Sequence, residues 1–148
     1  MKIVLDTGIL VRASHNAQGL ARALLLAILD GPHVLVLSAP MLEELDRVLR
    51  YPRVVKLTNL EPEGMRLYLD FLAGSSQVVK AEDTVPIPIR DPKDAPVLQT
   101  AIAGGVDVVC SLDAHFYKPE MIAFCESRGI RIMKDVDLMR LLRAQKAT

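Results

Sequence analysis

Short apolar runs alternate with longer amphipathic segments along this chain. The first run begins at Met1, contains the β-branched residues Ile3 and Val4, and stops at Asp6, after which Thr7 and Gly8 predict a turn. A strand this apolar is expected to be buried on both faces, as in the centre of a parallel sheet. Further strands are predicted at Val34–Leu37, Gln77–Lys80 (an edge strand), Val106–Ser111 and Ile130–Met133.

The segments between these runs show the spacing of helices that bury one face. Ser38 is a predicted N-cap, Pro40 lies in the first turn, and that helix ends near Arg50, before an irregular segment at Arg53–Leu60. Ala81–Arg90 is predicted to be an extended connection. The other helical segments are Ile9–Ala13 (a turn), Leu20–Asp30, Glu61–Ala73, a helix from between Asp91 and Pro96 to Gly104, Pro119–Arg128 and Val136–Gln145.

Strands that alternate with helices predict βαβ units, with a mainly parallel sheet of about five strands and helices on both faces. The 148 residues are expected to form a single domain, 1–148, and 51% of them are hydrophobic, enough for one core. The 18 basic and 18 acidic residues cancel, so nucleic-acid binding would require a local basic patch. With 4% aromatic residues and no Trp, a platform for base stacking is not expected.

The cysteines and the apolar runs indicate a cytoplasmic protein. Cys110 and Cys125 lie in apolar surroundings without a Cys-x-x-Cys pattern, which favours two reduced, buried thiols. The longest apolar stretch, Ala23–Leu29, is much shorter than the roughly 20 residues of a membrane span. The apolar run before Asp6 is too short for a signal peptide.

Four carboxylates are predicted to meet at one edge of the sheet. Asp6 and Asp113 follow apolar strands, Glu44 borders the apolar face of its helix, and Asp94 lies on the buried face of the next one. Taken singly, three of the four have an ordinary interpretation: Glu44 as a rim residue, Asp113 as a turn residue, and Asp94 as a residue favoured by the helix dipole. Asp91, before Pro92, is interpreted as an N-cap.

Carboxylates gathered in this way would repel one another unless a cation lay between them. All-oxygen ligation suits Mg²⁺ or Mn²⁺ rather than zinc. Such a site can activate water and stabilise the leaving oxygen of a phosphoryl transfer. The residues themselves therefore predict metal-dependent phosphoryl chemistry without naming a substrate.

Several motifs in order along the chain resemble those of the PIN domain family, in the branch described as toxins of toxin–antitoxin systems. The resemblance implies a three-layer α/β/α fold and a ribonuclease that uses Mg²⁺ or Mn²⁺. It matches Asp6, Glu44, Asp94 and Asp113 to the acidic quartet of the family, with Asp91 as a secondary acid. The motifs are Val4–Val11, Leu37–Leu45, Arg90–Asp94 continuing to Leu98 and Ala101, Val108–Asp113 and Gly129–Met133.

The resemblance also implies roles and partners. Asp6, Asp94 and Asp113 would hold the cation, while Glu44 completes its shell or orients the attacking water. The expected partners are a single-stranded or structured RNA substrate, a small antitoxin, and a second copy of the chain in a homodimer, with no membrane. The cations that could contact the RNA backbone, if they are not simply solvated, are Arg12, Arg47, Arg90 and Lys93.

Two positions depart from the family pattern. Gly8 stands where Asn is usual, and His115 where this branch usually has a second Asp. Either change would weaken metal binding, which motivates an alternative hypothesis: a catalytically weak or inactive PIN-fold module that binds RNA or a partner protein. A metal-dependent hydrolase of small phosphate esters is a third possibility, since the carboxylates alone do not identify RNA as the substrate.

Overall fold

A five-stranded, all-parallel β-sheet runs through the computed structural model, which describes residues 1–81, 85–89 and 91–146. The strand order is β3-β2-β1-β4-β5, so the first strand of the chain lies at the centre of the sheet and β3 lies at one edge. The strands are β1 (Lys2–Leu5), β2 (Val34–Ser38), β3 (Gln77–Val79), β4 (Val108–Cys110) and β5 (Arg131–Met133).

Eight α-helices connect and follow these strands within the described residues. They are α1 (Thr7–Ala13), α2 (Leu20–Asp30), α3 (Ala39–Leu49), α4 (Pro52–Thr58), α5 (Pro62–Ser75), α6 (Ala95–Gly104), α7 (Pro119–Glu126) and α8 (Asp135–Lys146). Short 3₁₀ turns at Pro92–Asp94 and Ala114–Tyr117 carry residues of the site described below.

The strand order places helices on both faces of the sheet. The connections β1→β2→β3 and β3→β4→β5 run in opposite directions, and right-handed crossovers of opposite direction lie on opposite faces. Helix α2 packs against α8, while α6 packs across β1 and β2. The predicted three-layer α/β/α fold, with its parallel sheet of about five strands, is confirmed.

The central strand is covered on both faces. Ile3, Val4 and Leu5 are each 0% exposed, and consecutive strand residues point to opposite faces, so both faces of β1 are buried. After β1 the chain crosses over to β2 on one side of it, and after β4 it crosses over to β5 on the other side. The carboxyl ends of β1 and β4 therefore flank the crevice in which open α/β sheets bind ligands.

Contacts between α6 and β2 fix the position of α6 on the sheet. A Cβ atom at Gly104 would lie 2.7 Å from Cγ1 of Val36, so the absence of a side chain there permits close packing of helix and strand. Ser38 at the end of β2 shares a 2.6 Å hydrogen bond with Thr100 in α6, between two buried hydroxyls. These contacts hold the N-terminus of α6, which carries Asp94, near the carboxyl edge of the sheet.

Two local predictions are wrong. Thr7 and Gly8 do not form a turn but begin α1, because Asp6 caps a helix that starts directly after the strand. The segment Arg53–Leu60 is not irregular: Pro52 begins α4 at a position where proline favours a helix, and Asn59 ends it in the left-handed conformation, with φ of 56°. The predicted connection Ala81–Arg90 lies partly outside the described residues.

The two cysteines and the helix lengths agree with the sequence analysis. Cys110 and Cys125 are both free and 0% exposed, and burial raises their thiol pKa values to about 12 and about 11 respectively. Across the described ranges, every helix is too short or too polar to cross a membrane.

Candidate metal centre

An open cleft with a volume of about 410 Å³ lies at the carboxyl edge of the sheet. All four acids that the sequence analysis selected contribute to its lining, although they come from the residue after β1, from α3, from the 3₁₀ turn before α6 and from the segment after β4. The lining residues are Asp6, Thr7, Gly8, Ile9, Arg12, Glu44, Val48, Asp91, Lys93, Asp94, Leu112 and Asp113.

Asp6 is held by both of its carboxylate oxygens. Its Oδ1 accepts a hydrogen bond from the backbone N–H of Thr7 at 2.7 Å, which caps α1, and its Oδ2 accepts one from the Ser111 hydroxyl at 2.7 Å. Burial raises the pKa of Asp6, and the negative charge of Asp113 raises it further, while these hydrogen bonds and Arg12 oppose the rise. The carboxylate therefore has a fixed orientation and a neighbouring negative charge.

Glu44 lies at the edge of the buried face of α3, as its helical spacing predicted. Met41, Leu45 and Leu49 on that face are buried, whereas Glu44 is half-buried in the cleft wall. The Thr7 hydroxyl donates a hydrogen bond to Glu44 Oε2 at 3.3 Å. Burial raises the pKa of Glu44, and the charges of Asp6 and Asp94 add to the rise.

Asp94 points inward at the start of α6, as predicted. It is 9% exposed, and burial raises the pKa of its carboxyl group together with the charges of Asp113 and Asp91. Asp91 has the capping role expected of it, because its Oδ1 accepts a hydrogen bond from the backbone N–H of Lys93 at 3.0 Å. The turn that it caps is, however, the 3₁₀ turn before α6 rather than α6 itself.

Asp113 and His115 lie on the segment that follows β4. The Asp113 backbone N–H donates to the Ser111 hydroxyl at 3.0 Å, and Asp113 Oδ1 accepts from the His115 backbone N–H at 2.9 Å. The imidazole Nδ1 of His115 lies 3.2 Å from Asp94 Oδ2 and 3.5 Å from Asp113 Oδ1. His115 therefore stands between two of the four acids.

The donor set of the cleft suits a divalent cation. Asp91, Asp94 and His115 each offer a ligand atom, and these atoms all lie within 4.8 Å of one another; within the described residues they form the group of three that meets this distance. Asp94 links this group to the acids that line the cleft beside it. Carboxylate oxygens are ligands for Mg²⁺ and Mn²⁺, and an imidazole nitrogen is a ligand for first-row transition ions.

The four predicted cations are not all placed in the cleft. Arg12 and Lys93 line it. Arg47 is not among the lining residues, but its positive charge opposes the rise in the Glu44 pKa that burial causes. Arg90 lies outside the described residues. The cleft therefore combines a carboxylate centre with two cationic side chains at its wall.

Sequence reasoning missed two hydroxyl residues of the site, Ser111 and Thr7. Ser111 is fully buried and connects the carboxylate of Asp6 to the backbone of Asp113, and Thr7 connects the first residue of α1 to Glu44. Each is adjacent or nearly adjacent to a predicted acid. A hydroxyl residue just after an apolar strand, one or two positions from an acid, is the pattern that would have indicated them.

Comparison with known proteins identifies the family. A PIN domain model matches residues 2–115, which include all four predicted acids and His115, and the chain therefore belongs to the PIN domain family. Members of this family are generally metal-dependent nucleases. No curated protein matches the chain.

Proposed function

We propose that this PIN-domain protein is a metal-dependent endoribonuclease that acts as the toxin of a toxin–antitoxin pair. The observation that carries the nuclease assignment is the convergence of Asp6, Glu44, Asp94 and Asp113 on one open cleft. Burial raises the pKa values of three of them, and each of these three also feels the charge of another acid in the cleft. Carboxylates arranged in this way favour a cation between them.

In this proposal, Asp6, Asp94 and Asp113 hold Mg²⁺ or Mn²⁺, with Glu44 completing the set. The bound ion would stabilise negative charge on the phosphate and on the leaving oxygen. Ser111 and Thr7 support this arrangement, because their hydroxyls hold Asp6 and Glu44 in place. The ligands are thus oriented before substrate arrives.

The other residues of the cleft would bind the RNA and move a proton. Arg12 and Lys93 at the cleft wall are suited to contact phosphate oxygens on either side of the scissile bond. Glu44, whose pKa burial raises, is suited to accept the proton of the attacking water. The water oxygen would bond to phosphorus as the P–O bond to the leaving ribose breaks, which leaves a phosphate monoester and a hydroxyl.

RNA cleavage by the purified, tag-free protein tests this assignment. A mixed-sequence single-stranded RNA would be incubated with the protein in EDTA, Mg²⁺ or Mn²⁺. Asp6→Asn keeps an acceptor for the Thr7 backbone but removes the charge, so this variant is expected to lose cleavage. Asp70→Asn is the matched control, because Asp70 pairs with Arg66 on the exposed face of α5.

The results separate the proposal from its alternatives. Metal-dependent cleavage that Asp6→Asn abolishes and Asp70→Asn retains supports the nuclease. RNA binding without cleavage in either metal favours the catalytically weak binding module, which Gly8 and His115 motivated. Hydrolysis of an aryl phosphate ester without RNA cleavage would instead favour a small-molecule phosphatase.

The toxin assignment, the small antitoxin and the homodimer rest on the sequence resemblance. Expression in a bacterial host is expected to arrest growth, and Asp6→Asn is expected to relieve the arrest. Light scattering after size-exclusion chromatography measures whether the free chain is a dimer. A toxin that does not arrest growth although its RNA cleavage is intact would contradict this part of the proposal alone.

A further inference from the structure

We infer that His115, with Asp91 and Asp94, makes the metal centre selective for Mn²⁺ over Mg²⁺. The inference rests on the proposed function and deepens it, since Asp94 belongs both to the acidic quartet of the first cleft and to this group of three. It assigns His115 the role of a nitrogen ligand and Asp91 that of a further carboxylate ligand. Neither residue belongs to the acidic quartet.

The geometry of the three side chains carries the inference. An ion with ligand bonds of about 2.1 Å has ligands up to about 4.2 Å apart when they lie on opposite sides of it. The ligand atoms of Asp91, Asp94 and His115 all lie within 4.8 Å of one another, and the Asp94–His115 separation is 3.2 Å. A change of a few tenths of an ångström therefore suffices for all three to reach one ion.

The local backbone explains how the three residues meet. Asp91 and Asp94 are three residues apart and flank a 3₁₀ turn, in which such a spacing places side chains on the same side. His115 lies on the second 3₁₀ turn, after β4, and its side chain is 49% exposed. Because the imidazole is open to solvent while Asp94 is buried, an ion could exchange from one side and be held from the other.

A second cleft is lined by the whole group of three. It has a volume of about 330 Å³ and is lined by Asp91, Asp94 and His115 together with Lys118 and Met121, among others. Asp91 and Asp94 thus line both clefts. All three ligands line the second cleft, where water has access to complete the coordination of an ion.

The chemistry of the donors sets the preference. Oxygen ligands suit both Mg²⁺ and Mn²⁺, whereas imidazole nitrogen suits first-row transition ions. Of the two ions of the proposed function, Mn²⁺ is the first-row transition ion, so an imidazole ligand adds more to its binding than to that of Mg²⁺. Two carboxylates and one imidazole therefore favour Mn²⁺. An aspartate in place of His115 would restore an all-oxygen set and, with it, binding of Mg²⁺.

Metal binding without RNA tests the inference. Binding of Mn²⁺ to the tag-free protein is measured from the electron paramagnetic resonance of the free ion, and Mg²⁺ is measured by competition. The wild-type protein is expected to bind Mn²⁺ more tightly than Mg²⁺. His115→Asp is expected to lower the ratio of the two affinities about 10-fold or more, since loss of even an outer partner of a ligand costs 10- to 100-fold in affinity.

Two further variants complete the design. Asp91→Asn keeps the cap on the backbone of Lys93 but removes a charged ligand, and it is expected to weaken Mn²⁺ binding about 10-fold. His15→Ala is the matched control, because the His15 ring contacts the Val11 carbonyl oxygen at the end of α1. It is expected to leave the affinity ratio unchanged.

The outcomes are independent of the nuclease assay. An Mn²⁺ preference that falls in His115→Asp and persists in His15→Ala supports the inference, whether or not RNA is cleaved. A ratio in folded His115→Asp within twofold of that of the wild type overturns it, even if metal-dependent cleavage is observed. Circular dichroism establishes that each variant is folded.

Discussion

The Ser111 hydroxyl joins two acids of the site, and its removal tests how the cleft is stabilised. Ser111 is 0% exposed, donates to Asp6 Oδ2 at 2.7 Å and accepts from the Asp113 backbone N–H at 3.0 Å. Ser111→Ala removes both contacts and adds no new group. It leaves a buried carboxylate oxygen and a backbone N–H without these partners.

The loss can be estimated from the two contacts. A hydrogen bond to a charged group contributes about 1.5–3 kcal/mol, and a neutral one about 1 kcal/mol. Water that enters from the open cleft would replace part of the two lost hydrogen bonds. We therefore expect Ser111→Ala to lower the free energy of unfolding at neutral pH by about 2–4 kcal/mol, or roughly 5–15 °C in Tm for a chain of this size.

The effect of this substitution depends on pH. Burial raises the folded-state pKa of Asp6 above its ordinary value of 3.8, which the unfolded chain keeps. At pH values between the unfolded-state and folded-state pKa, the folded state therefore binds more protons than the unfolded state. The contribution of Asp6 to stability falls as the pH rises through this range. The Ser111 bond opposes the rise, because it favours the ionised form. Its loss raises the folded-state pKa further. The stability difference between variant and wild type is therefore largest at neutral pH, and shrinks as Asp6 becomes protonated.

Urea unfolding followed by circular dichroism, at neutral and at mildly acidic pH, measures both effects. Ser127→Ala is the control, because Ser127 makes its hydrogen bond to the Phe124 carbonyl oxygen at the exposed end of α7. It is expected to cost less than about 0.5 kcal/mol. The assigned role of the hydroxyl would be refuted if Ser111→Ala lowered the free energy of unfolding by as little as the control does. It would also be refuted if the loss were larger but the same at both pH values.

Four other substitutions or additions have defined outcomes. Gly8→Ala is expected to raise the free energy of unfolding by about 0.5–1 kcal/mol in a urea titration, because Gly8 is helical and a Cβ there meets nothing within 4 Å. Tyr68→Phe is expected to lower it by about 1 kcal/mol, since the Tyr68 hydroxyl donates to the Leu10 carbonyl oxygen at 2.6 Å. Burial raises the pKa of Cys110 to about 12, so this thiol is expected to react with Ellman's reagent at pH 8 only after unfolding in urea. Mn²⁺ at 100 times its Kd is expected to stabilise the protein by about 2.7 kcal/mol in thermal melts, and Asp94→Asn should abolish most of this gain.

The fold was predictable where hydrophobic periodicity was strong. The three inner strands β1, β2 and β4 are short runs of mostly buried residues, and the alternation of strands with helices determined the parallel sheet. The errors fell where a residue had two possible roles. Pro52 ends one helix and also begins α4, and Asp6 ends a strand and also caps α1, so local pattern alone did not decide between a break and a new helix.

The acids of the site were predictable because each occupies a distinctive position at the end of a strand or on a helix face. Their supporting contacts were not, because these depend on the register of strands distant in sequence. Leu5 pairs with Cys110 in the parallel sheet, so the next residues, Asp6 and Ser111, come side by side although 105 positions separate them. Spacing along the chain does not reveal such a pairing.

Two of the acids nevertheless accept a hydrogen bond from a hydroxyl that lies close to another acid in sequence. Thr7, directly after Asp6, donates to Glu44, and Ser111, two residues before Asp113, donates to Asp6. The motifs of Asp6 and Asp113 therefore each supply one carboxylate together with a hydroxyl that holds a carboxylate of another motif. Since the hydroxyl bonds favour the ionised forms that burial and mutual repulsion disfavour, the cleft can keep its acids oriented toward a cation. A change in one motif is then expected to disturb ligands contributed by two elements of the fold.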